Sequence, residues 1–411
     1  MAQAIPESVG MSSARLERIA PAMRAYVDRG VYAGIRTLVA RRGVVVHDAA
    51  YGQRDKEAGA PMTRDTIFRL YSMTKPIICT ALMTLYEEGR FRLIDPIAAY
   101  IPAFAGVQVR DADGTLRPPK RPPTVLDVLT HTSGLSYHFY GDTPVSPLYH
   151  GRKFGDSVSS LAEAVDEIAT IPLAFDPGAR WHYSVGIDVA GRVAEVVSGQ
   201  KLGDLLAERL FAPLGMADTG FGVAEDKRGR VAAMYGRNDA LASPKTLMQT
   251  LGDWMNGVND RLDVSATYPV DRPDTFQRGG HGLFGTTDDY FRFAQMLCNG
   301  GVHEGQRIIG RKTLELMHSN HLPLSLMPLT LDGLPIEPGY GFGLGSRVAV
   351  DPAGFCKPGS VGDFGWAGAA HTYFWVDPKE QLVALFMTQS LWSFDLPEYD
   401  LAAIVYGAIE D

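Results

Sequence analysis

The sequence predicts an α/β (α+β) protein of two lobes, with an antiparallel sheet flanked by helices in one lobe and mostly helices in the other. Three observations favour this fold class. The chain of 411 residues exceeds the roughly 250 to 300 residues at which a single hydrophobic core stops growing. Strand patterns occur near both ends of the chain, and prolines crowd the region between residues 110 and 182. We therefore expect two lobes with a cleft between them.

The α/β lobe is predicted from the two ends of the chain. Its strands are runs of β-branched and aromatic residues that flank turn-forming residues, which is typical of hairpins. Its helices have apolar residues at helical spacing. The predicted elements are helices at residues 12–29 and 398–409, a hairpin of 35–40 with 44–49, and a hairpin of 372–376 with 382–388.

The middle of the chain is predicted to form long loops that carry short helices, because its prolines interrupt regular structure. The predicted helices are residues 124–130, 157–169, 187–197 and 201–211. We expect residues 1–105 and 290–411 to form the α/β lobe and residues 106–289 to form an inserted, mostly helical lobe. The active site is expected in the cleft between the two lobes.

Composition and charge argue against several classes of function. The chain is 45% hydrophobic and 21% charged, with a net charge of −8 and no basic run, so neither a nucleic acid nor a membrane is an expected partner. Cys79, Cys298 and Cys356 are widely spaced, which is typical of a reduced compartment. With no basic and apolar leader pattern, we expect a cytoplasmic protein. The histidines form no metal-binding pattern, so no metal or other cofactor is expected.

The stretch Arg-Leu-Tyr-Ser-Met-Thr-Lys-Pro at residues 69–76 places a serine and a lysine one helical turn apart. Ser72 precedes a strongly apolar run, so it is predicted to open a buried helix whose positive N-terminus would stabilise an oxyanion. Lys75 could take the serine proton if its pKa of about 10.4 fell by roughly three units. These two residues alone also allow an N-cap serine beside a solvated lysine. A second serine–lysine pair, at residues 198–201, follows a helix-ending pattern and is expected to be a solvated connector.

Four ordered blocks further along the chain extend this motif. They are LDVLTHTSGL at 126–135, FDPGARWHYSVGIDVAG at 175–191, GHGLFGTTDDY at 280–290 and FGWAGAAHTYFWVDP at 364–378. Together with the S-x-x-K element, they resemble the class C β-lactamase and penicillin-binding-protein superfamily, and within it the chain looks most like the family VIII carboxylesterases. The resemblance runs from about residue 10 to residue 408. It implies a β-lactamase-like fold with the active site between the lobes.

The resemblance also implies catalytic roles. Ser72 matches the acylated nucleophile and Lys75 matches the amine that helps to deprotonate it. Tyr183 matches the tyrosine of the second motif, which would carry the proton between Ser72, the leaving group and the attacking water. The backbone N–H groups of Ser72 and Ala369 would form the oxyanion hole. Whether Lys75 or Tyr183 is the base of the acylation step stays open.

Two departures from the family pattern favour esters over β-lactams and peptides. Trp366 stands where the third motif normally has lysine, so a substrate carboxylate would lose its counter-ion; tryptophan at this position is similar to the family VIII esterases. Val185 replaces the asparagine that binds the substrate amide, so an amide placed there would go unsatisfied at about 1 to 3 kcal/mol.

Further residues are predicted to bind substrate. Gly368 lies beside Trp366 on the predicted cleft strand. His371 lies three residues beyond Gly368, where it could transfer a proton, although a packed or solvent-facing histidine is the favoured alternative. Tyr137 belongs to a set of aromatic residues that could wall an acyl pocket, and two or three of the set are expected to touch a ligand. The others are Tyr71, Phe139, Tyr140, Trp181, Phe284 and Trp366.

These patterns predict a serine esterase that hydrolyses short to medium acyl esters through an acyl-enzyme on Ser72, with weak β-lactamase activity as a possible addition. The expected partner is a small-molecule ester. The alternatives are a β-lactamase, a D-amino-acid peptidase, or an acyltransferase that uses the same serine, lysine and tyrosine. A binding protein on this scaffold would be expected to lose Ser72, Lys75 or Tyr183, and all three are present.

Overall fold

The structure, a computed structural model, describes most of the chain. The described residues are 4–155, 157–239, 241–243, 245–246, 248–249, 260–336, 338–391, 393 and 395–411. The helices are α1 (Ser13–Leu16), α2 (Ile19–Asp28), α3 (Thr74–Glu87), α4 (Val125–Leu129), α5 (Leu161–Ile168), α6 (Gly186–Ser198), α7 (Leu202–Leu206), α8 (Ala212–Leu214), α9 (Thr287–Cys298), α10 (Arg311–Met317) and α11 (Pro397–Gly407).

An eight-stranded antiparallel sheet organises the fold, in the order β14-β15-β16-β17-β18-β1-β2-β3. Its strands are β1 (Gly34–Arg41), β2 (Val44–Asp55), β3 (Ala60–Pro61), β14 (Tyr340–Phe342), β15 (Arg347–Ala349), β16 (Phe364–Gly368), β17 (Thr372–Asp377) and β18 (Leu382–Met387). Strand β1 pairs with β18, so the two ends of the chain meet in the middle of the sheet. Both predicted hairpins are present.

Short strands lie outside this sheet. They are β4 (Ile67–Arg69), β5 (Val109–Arg110), β6 (Leu116–Arg117), β7 (Met234–Gly236), β8 (Asp260–Leu262), β9 (Phe284–Thr286), β10 (Val302–His303), β11 (Gln306–Arg307), β12 (Thr330–Leu331), β13 (Leu334–Pro335) and β19 (Ser390–Leu391). The pair β4 and β9 lies next to the predicted nucleophile, because β4 leads directly into the stretch that carries Ser72.

Two hydrophobic layers cover the sheet. On one face, α1, α2 and α11 pack together over apolar side chains such as Tyr26, Trp375 and Leu401. On the other face, α9 packs against β17 and β18, and α3 continues this core into the helices α4 to α7. Helix α3 is buried nearly all round, since twelve of its residues are buried. Its N-terminus therefore lies in the interior between the sheet and the inserted helices.

The structure differs from the predicted helices at three places. The predicted helix at 157–169 begins only at Leu161, after the N-cap Ser160. The predicted helix at 12–29 is divided into α1 and α2 by a turn. The predicted helix at 201–211 consists of α7 followed by a π-helical turn over Ala207–Phe211. Hydrophobic periodicity places a helix but does not resolve such local changes in winding. Within the described ranges, no helix combines the length and the apolarity needed to cross a bilayer.

Candidate active site

Ser72 lies at a tight junction between strand and helix. Strand β4 ends at Arg69, a 3-10 turn follows over Tyr71–Met73, and α3 begins at Thr74. Tyr71 has a φ of 46°, a left-handed conformation that costs a non-glycine residue of the order of 1 kcal/mol and is often found at functional sites. The N-cap position of α3 is Met73, and Ser72 lies within the 3-10 turn before it. The structure therefore does not place Ser72 as a helix N-cap.

Lys75 is fully buried at the start of α3. Its Nζ lies 3.0 Å from Ser72 Oγ, 3.2 Å from the Tyr137 hydroxyl and 2.8 Å from the Gly280 carbonyl oxygen. The carbonyl can only accept, so one proton of Lys75 must point at Gly280. The two hydroxyls can donate or accept, so they leave room either for an ammonium with three donated bonds or for a neutral amine that accepts from one of them. The amine is therefore held where it can exchange a proton with Ser72.

Tyr183 reaches the same amine through its ring. Lys75 Nζ lies 4.6 Å from the centroid of the Tyr183 ring, within the range of a cation–π contact. The Tyr183 hydroxyl accepts a hydrogen bond of 3.2 Å from Trp366 Nε1. The phenol that bonds directly to Lys75 is that of Tyr137, whose ring centroid is 5.6 Å from that of Tyr183. Two tyrosines thus flank the amine, one by its hydroxyl and one by its face.

Burial controls the charge of the groups around Lys75. Burial raises the pKa of Tyr137 well above its usual value, and Tyr183 and Asp188 raise it further. Burial also lowers the pKa of His131 and His281 well below the usual value, with Lys75 adding to the effect. At neutral pH, Tyr137 is therefore a phenol and both histidines are neutral. Tyr137 can hold a proton close to the amine.

Strand β16 brings a second amide group to the site. An added Cβ on Gly368 would lie 2.3 Å from the carbonyl oxygen of Leu70, so only glycine allows β16 to approach this closely. Thr372 Oγ1 donates to the same carbonyl at 3.2 Å. Ser72 and Ala369 both line the resulting cleft, and neither backbone N–H donates to another group in the described part of the chain. This arrangement suits an oxyanion hole.

The cleft at Ser72 has a volume of about 300 Å³ and mostly apolar walls. Such a size is at the lower end of small-molecule sites. The lining residues are Tyr71, Ser72, Tyr137, Phe139, Tyr183, Leu241, His281, Leu331, Ile336, Arg347, Trp366, Ala367, Gly368, Ala369, Tyr373 and Glu398.

Two residues that the sequence predicts to bind substrate do not line this cleft. Val185 is fully buried in the core at the start of α6. His371 lies in the turn after β16 with a φ of 61°, and its ring contacts Tyr32 at 3.2 Å and Glu398 at 3.1 Å. Among the predicted wall residues, Tyr71, Tyr137, Phe139 and Trp366 line the cleft, whereas Tyr140, Trp181 and Phe284 lie outside its lining.

Some lining residues were missed by sequence reasoning. Leu241, Leu331 and Ile336 come from segments without a strong secondary-structure pattern, and nothing local marks an apolar residue as part of a cleft. His281 could have been noticed, because it stands inside the GHGLFGT block. In the described ranges, no group of three or more His, Cys, Asp or Glu side chains is arranged to hold a metal ion.

Comparison with known proteins identifies relatives over nearly the whole chain. The family model described as Beta-lactamase matches residues 19–406. An uncharacterized protein of Mycobacterium tuberculosis is 36% identical over 394 residues, which cover 94% of this chain and 92% of that protein. Esterase EstB of Burkholderia gladioli is 32% identical over 372 residues, which cover 87% of this chain and 86% of the esterase.

A solved structure agrees with these relatives. EstCE1, described as a hydrolase with promiscuous acyltransferase activity, superimposes with a TM-score of 0.77 at 27% identity and covers 97% of this chain and 98% of its own. The predicted fold class, a β-lactamase-like arrangement of an antiparallel sheet and helices, is therefore confirmed. The predicted lobe boundaries and the roles of the site residues stay predictions.

Proposed function

The chain belongs to the beta-lactamase family and is a serine hydrolase of the esterase type, and from this premise we propose that it hydrolyses short to medium acyl esters through an acyl-enzyme on Ser72. One observation carries the proposal. The fully buried Lys75 amine lies 3.0 Å from Ser72 Oγ, and Ser72 and Ala369 both line an apolar cleft.

The first half of the reaction forms the acyl-enzyme. Ser72 Oγ attacks the acyl carbon of the ester while its proton passes to the group formed by Lys75 and the nearby phenols. The N–H groups of Ser72 and Ala369 stabilise the oxyanion, and loss of one such donor costs about 3 kcal/mol in the transition state. The tetrahedral intermediate then collapses, the alcohol leaves with a proton, and the acyl group stays on Ser72.

The second half releases the acid. A water molecule gives up a proton to the same amine and phenol group and attacks the acyl carbon, and Ser72 Oγ leaves with a proton returned to it. Tyr137 supports this exchange because it lies 3.2 Å from Lys75 Nζ and stays protonated at neutral pH. Tyr183 supports it through its ring contact with the amine.

The cleft wall supports esters over β-lactams. Trp366 presents an indole where a lysine would bind a carboxylate, and its N–H is already bonded to the Tyr183 hydroxyl at 3.2 Å. Its ring packs at 5.2 Å from Phe342 and 5.4 Å from Tyr183, measured between centroids. Contact with this surface would stabilise a bound apolar acyl group or alcohol. A carboxylate at the same place would lose its water, and Trp366 supplies no cation to pair with it.

Acyl transfer to an alcohol is a second candidate function. It is favoured by the similarity to EstCE1, whose description names a promiscuous acyltransferase activity. The same acyl-enzyme would serve both reactions, and an apolar wall lets an alcohol compete with water for the acyl carbon. Product analysis in the presence of a primary alcohol distinguishes transfer from hydrolysis.

A substrate comparison tests the proposal. We expect the purified protein to hydrolyse p-nitrophenyl acetate and butyrate with a kcat/KM about a hundredfold above that for nitrocefin, since such a ratio corresponds to only ~2.7 kcal/mol. Labelling by an organophosphonate should place the phosphorus on Ser72. Rapid nitrocefin cleavage without ester turnover would overturn the assignment of substrate, and labelling at another serine would overturn the assignment of nucleophile.

A further inference from the structure

Asp188 is a buried carboxylate close to the proposed catalytic amine, and nothing in the reaction described above uses it. It lies in the first turn of α6 and is fully buried. Its Oδ1 accepts a hydrogen bond of 2.9 Å from the backbone N–H of Gly280. Its Oδ2 makes no hydrogen bond within the described part of the chain. Asp188 therefore links the first turn of α6 to a backbone segment 92 residues further along the chain.

Gly280 connects Asp188 to the amine. Its N–H donates to Asp188, and its carbonyl oxygen accepts from Lys75 Nζ at 2.8 Å. An added Cβ on Gly280 would lie 2.5 Å from Asp188 Oδ2 and 3.2 Å from the Tyr137 hydroxyl. The carboxylate, the glycine and the phenol are therefore packed against one another around the same point. The Asp188 bond therefore fixes the same residue whose carbonyl accepts from Lys75.

The charges around Asp188 and Lys75 show why a carboxylate matters here. The titratable groups that act on one or both of them are Cys79, His131, Tyr137, Tyr183, Arg278 and His281. Burial keeps both histidines neutral, and it also raises the pKa of the Cys79 thiol. Asp188 is the carboxyl group beside these neighbours. Burial raises the pKa of Asp188 above its usual value, and the positive charges of Lys75 and Arg278, together with the bond from the Gly280 N–H, oppose that rise.

We propose that Asp188 is a positioning residue for the reaction, which holds the Gly280 peptide against Lys75 and supplies the negative charge that balances the buried amine. This inference rests on the proposed function, since it assigns Asp188 to the support of the Ser72 and Lys75 pair. Asp188 acts through Gly280 and through its electric field, and it does not touch the substrate. The site would then include helix α6, which begins three residues after Tyr183.

Asp188→Asn tests the inference, because the amide can still accept from the Gly280 N–H but carries no charge. Loss of a nearby negative charge lowers the pKa of both an amine and a phenol. The limb of the pH profile of kcat/KM that reports the Lys75 amine and the Tyr137 phenol should therefore move to lower pH by about one unit. In addition, kcat should fall about tenfold with little change in KM. A role in folding alone would leave the profile in place.

Asp289→Asn is the matched control. Asp289 is also a buried helix-start aspartate whose carboxylate accepts from a backbone N–H, that of Asp218 at 2.8 Å, and burial raises its pKa as well. We expect this variant to lose stability without any shift of the pH profile. A folded Asp188→Asn protein with a wild-type pH profile and kcat would overturn the inference while leaving the proposed function intact.

Gly280→Ala provides a second route if Asp188→Asn does not fold. It keeps the charge but pushes a methyl group between the carboxylate and the phenol, so kcat should fall at least tenfold. An unchanged kcat in Gly280→Ala would contradict the inference. If the unaltered protein neither turns over esters nor is labelled at Ser72 by an organophosphonate, the proposed function fails and the inference fails with it.

Discussion

At the scale of single residues, the environment of Lys75 defines how the site can work. Three groups surround the amine, and only the Gly280 carbonyl is unable to donate. One proton of Lys75 is therefore always directed away from Ser72. Lys75 then exchanges protons with Ser72 and Tyr137 through the other two N–H or lone-pair directions of its nitrogen. This geometry allows the amine to be the base only while Tyr137 or Ser72 donates to it, so the protonation of the phenol and that of the amine are coupled.

Ser72→Ala should abolish ester turnover. Removal of the nucleophile of a serine hydrolase lowers kcat by several orders of magnitude, so we expect a loss of at least about a thousandfold. Ser198→Ala is the control, because Ser198 lies at the end of α6 with its hydroxyl 3.4 Å from the Glu195 carbonyl. It should retain wild-type kcat/KM. Equal activity of the two variants, measured with p-nitrophenyl butyrate, would remove Ser72 from its role.

Trp366→Lys should shift preference towards substrates that carry a carboxylate. The substitution restores a cation at the cleft wall and removes the indole N–H that bonds to the Tyr183 hydroxyl. We expect the ratio of nitrocefin to p-nitrophenyl butyrate kcat/KM to rise about tenfold, which corresponds to ~1.4 kcal/mol. Trp366→Phe serves as the control, since it loses the N–H without adding charge. A rise of the same size in both variants would show that charge is not the cause.

Contacts between residues close in sequence could be predicted, whereas contacts between distant residues could not. One helical turn sets the separation of Ser72 and Lys75, so their pairing could be predicted from their spacing. The bond from Lys75 to Tyr137 joins residues 62 apart in the chain. Sequence reasoning placed Tyr137 in the pocket wall because an aromatic residue in a loop gives no sign of the partner of its hydroxyl. The partner of His371 could not be predicted for a similar reason, since its ring bonds to Glu398, 27 residues further along the chain.

At the scale of elements, hairpins were predicted accurately and helix starts were less so. The pairs β1 with β2 and β17 with β18 consist of alternating or fully apolar runs around clear turn residues, so their positions follow from local sequence. The position at which α3 begins does not follow from local sequence, because a 3-10 turn precedes the helix. That turn is fixed by tertiary contacts, such as the bond of 2.9 Å from the Leu70 N–H to the Leu283 carbonyl.

Asp127→Asn should destabilise the short helix α4, which leads towards the loop that carries Tyr137. The Asp127 carboxylate accepts from the guanidinium of Arg121 and from the backbone N–H of Thr124 at 2.8 Å, and Thr124 caps the helix in return. Asparagine loses the charge and part of this network. Arg121 is partly exposed, so solvent weakens its ion pair with Asp127 and limits the effect of the substitution. We expect a loss of about 2 kcal/mol in the free energy of unfolding at pH 7.

The effect of Asp127→Asn should depend on pH. Burial opposes ionisation of Asp127, but the bonds from Arg121 and Thr124 hold its pKa below the usual value of 3.8. A carboxyl with a lowered folded-state pKa stabilises the protein above its unfolded value and loses that contribution as pH falls through the folded value. The gap between wild type and variant in urea unfolding should therefore shrink below about pH 3.8. Glu315→Gln, at an exposed ion pair on α10, should leave the midpoint unchanged.

At the scale of the whole molecule, the cleft is built from segments that are far apart in the chain. Ser72 comes from the start of α3, Trp366 from β16, and Leu331 and Ile336 from the segment around the β12 and β13 hairpin. The tip of this hairpin is bonded to the loop that follows Tyr140, since the Gly141 N–H donates to Asp332 at 2.8 Å. Fold class and the S-x-x-K element were predictable because each depends on patterns within short windows. The shape of the cleft depends on how these windows pack together, and no local pattern encodes that shape.

Leu331→Ala should extend the range of acyl chains that the cleft accepts. Leu331 lines the cleft of about 300 Å³, and removing its branched side chain adds room at the wall. A difference of a few methylene groups in an apolar pocket changes kcat/KM by about tenfold or more. We therefore expect the ratio of p-nitrophenyl decanoate to butyrate kcat/KM to rise about tenfold in this variant. Leu324→Ala, on the same segment but 81% exposed, should leave the ratio unchanged. A ratio that stays constant in Leu331→Ala would mean that the acyl chain binds along another wall of the cleft.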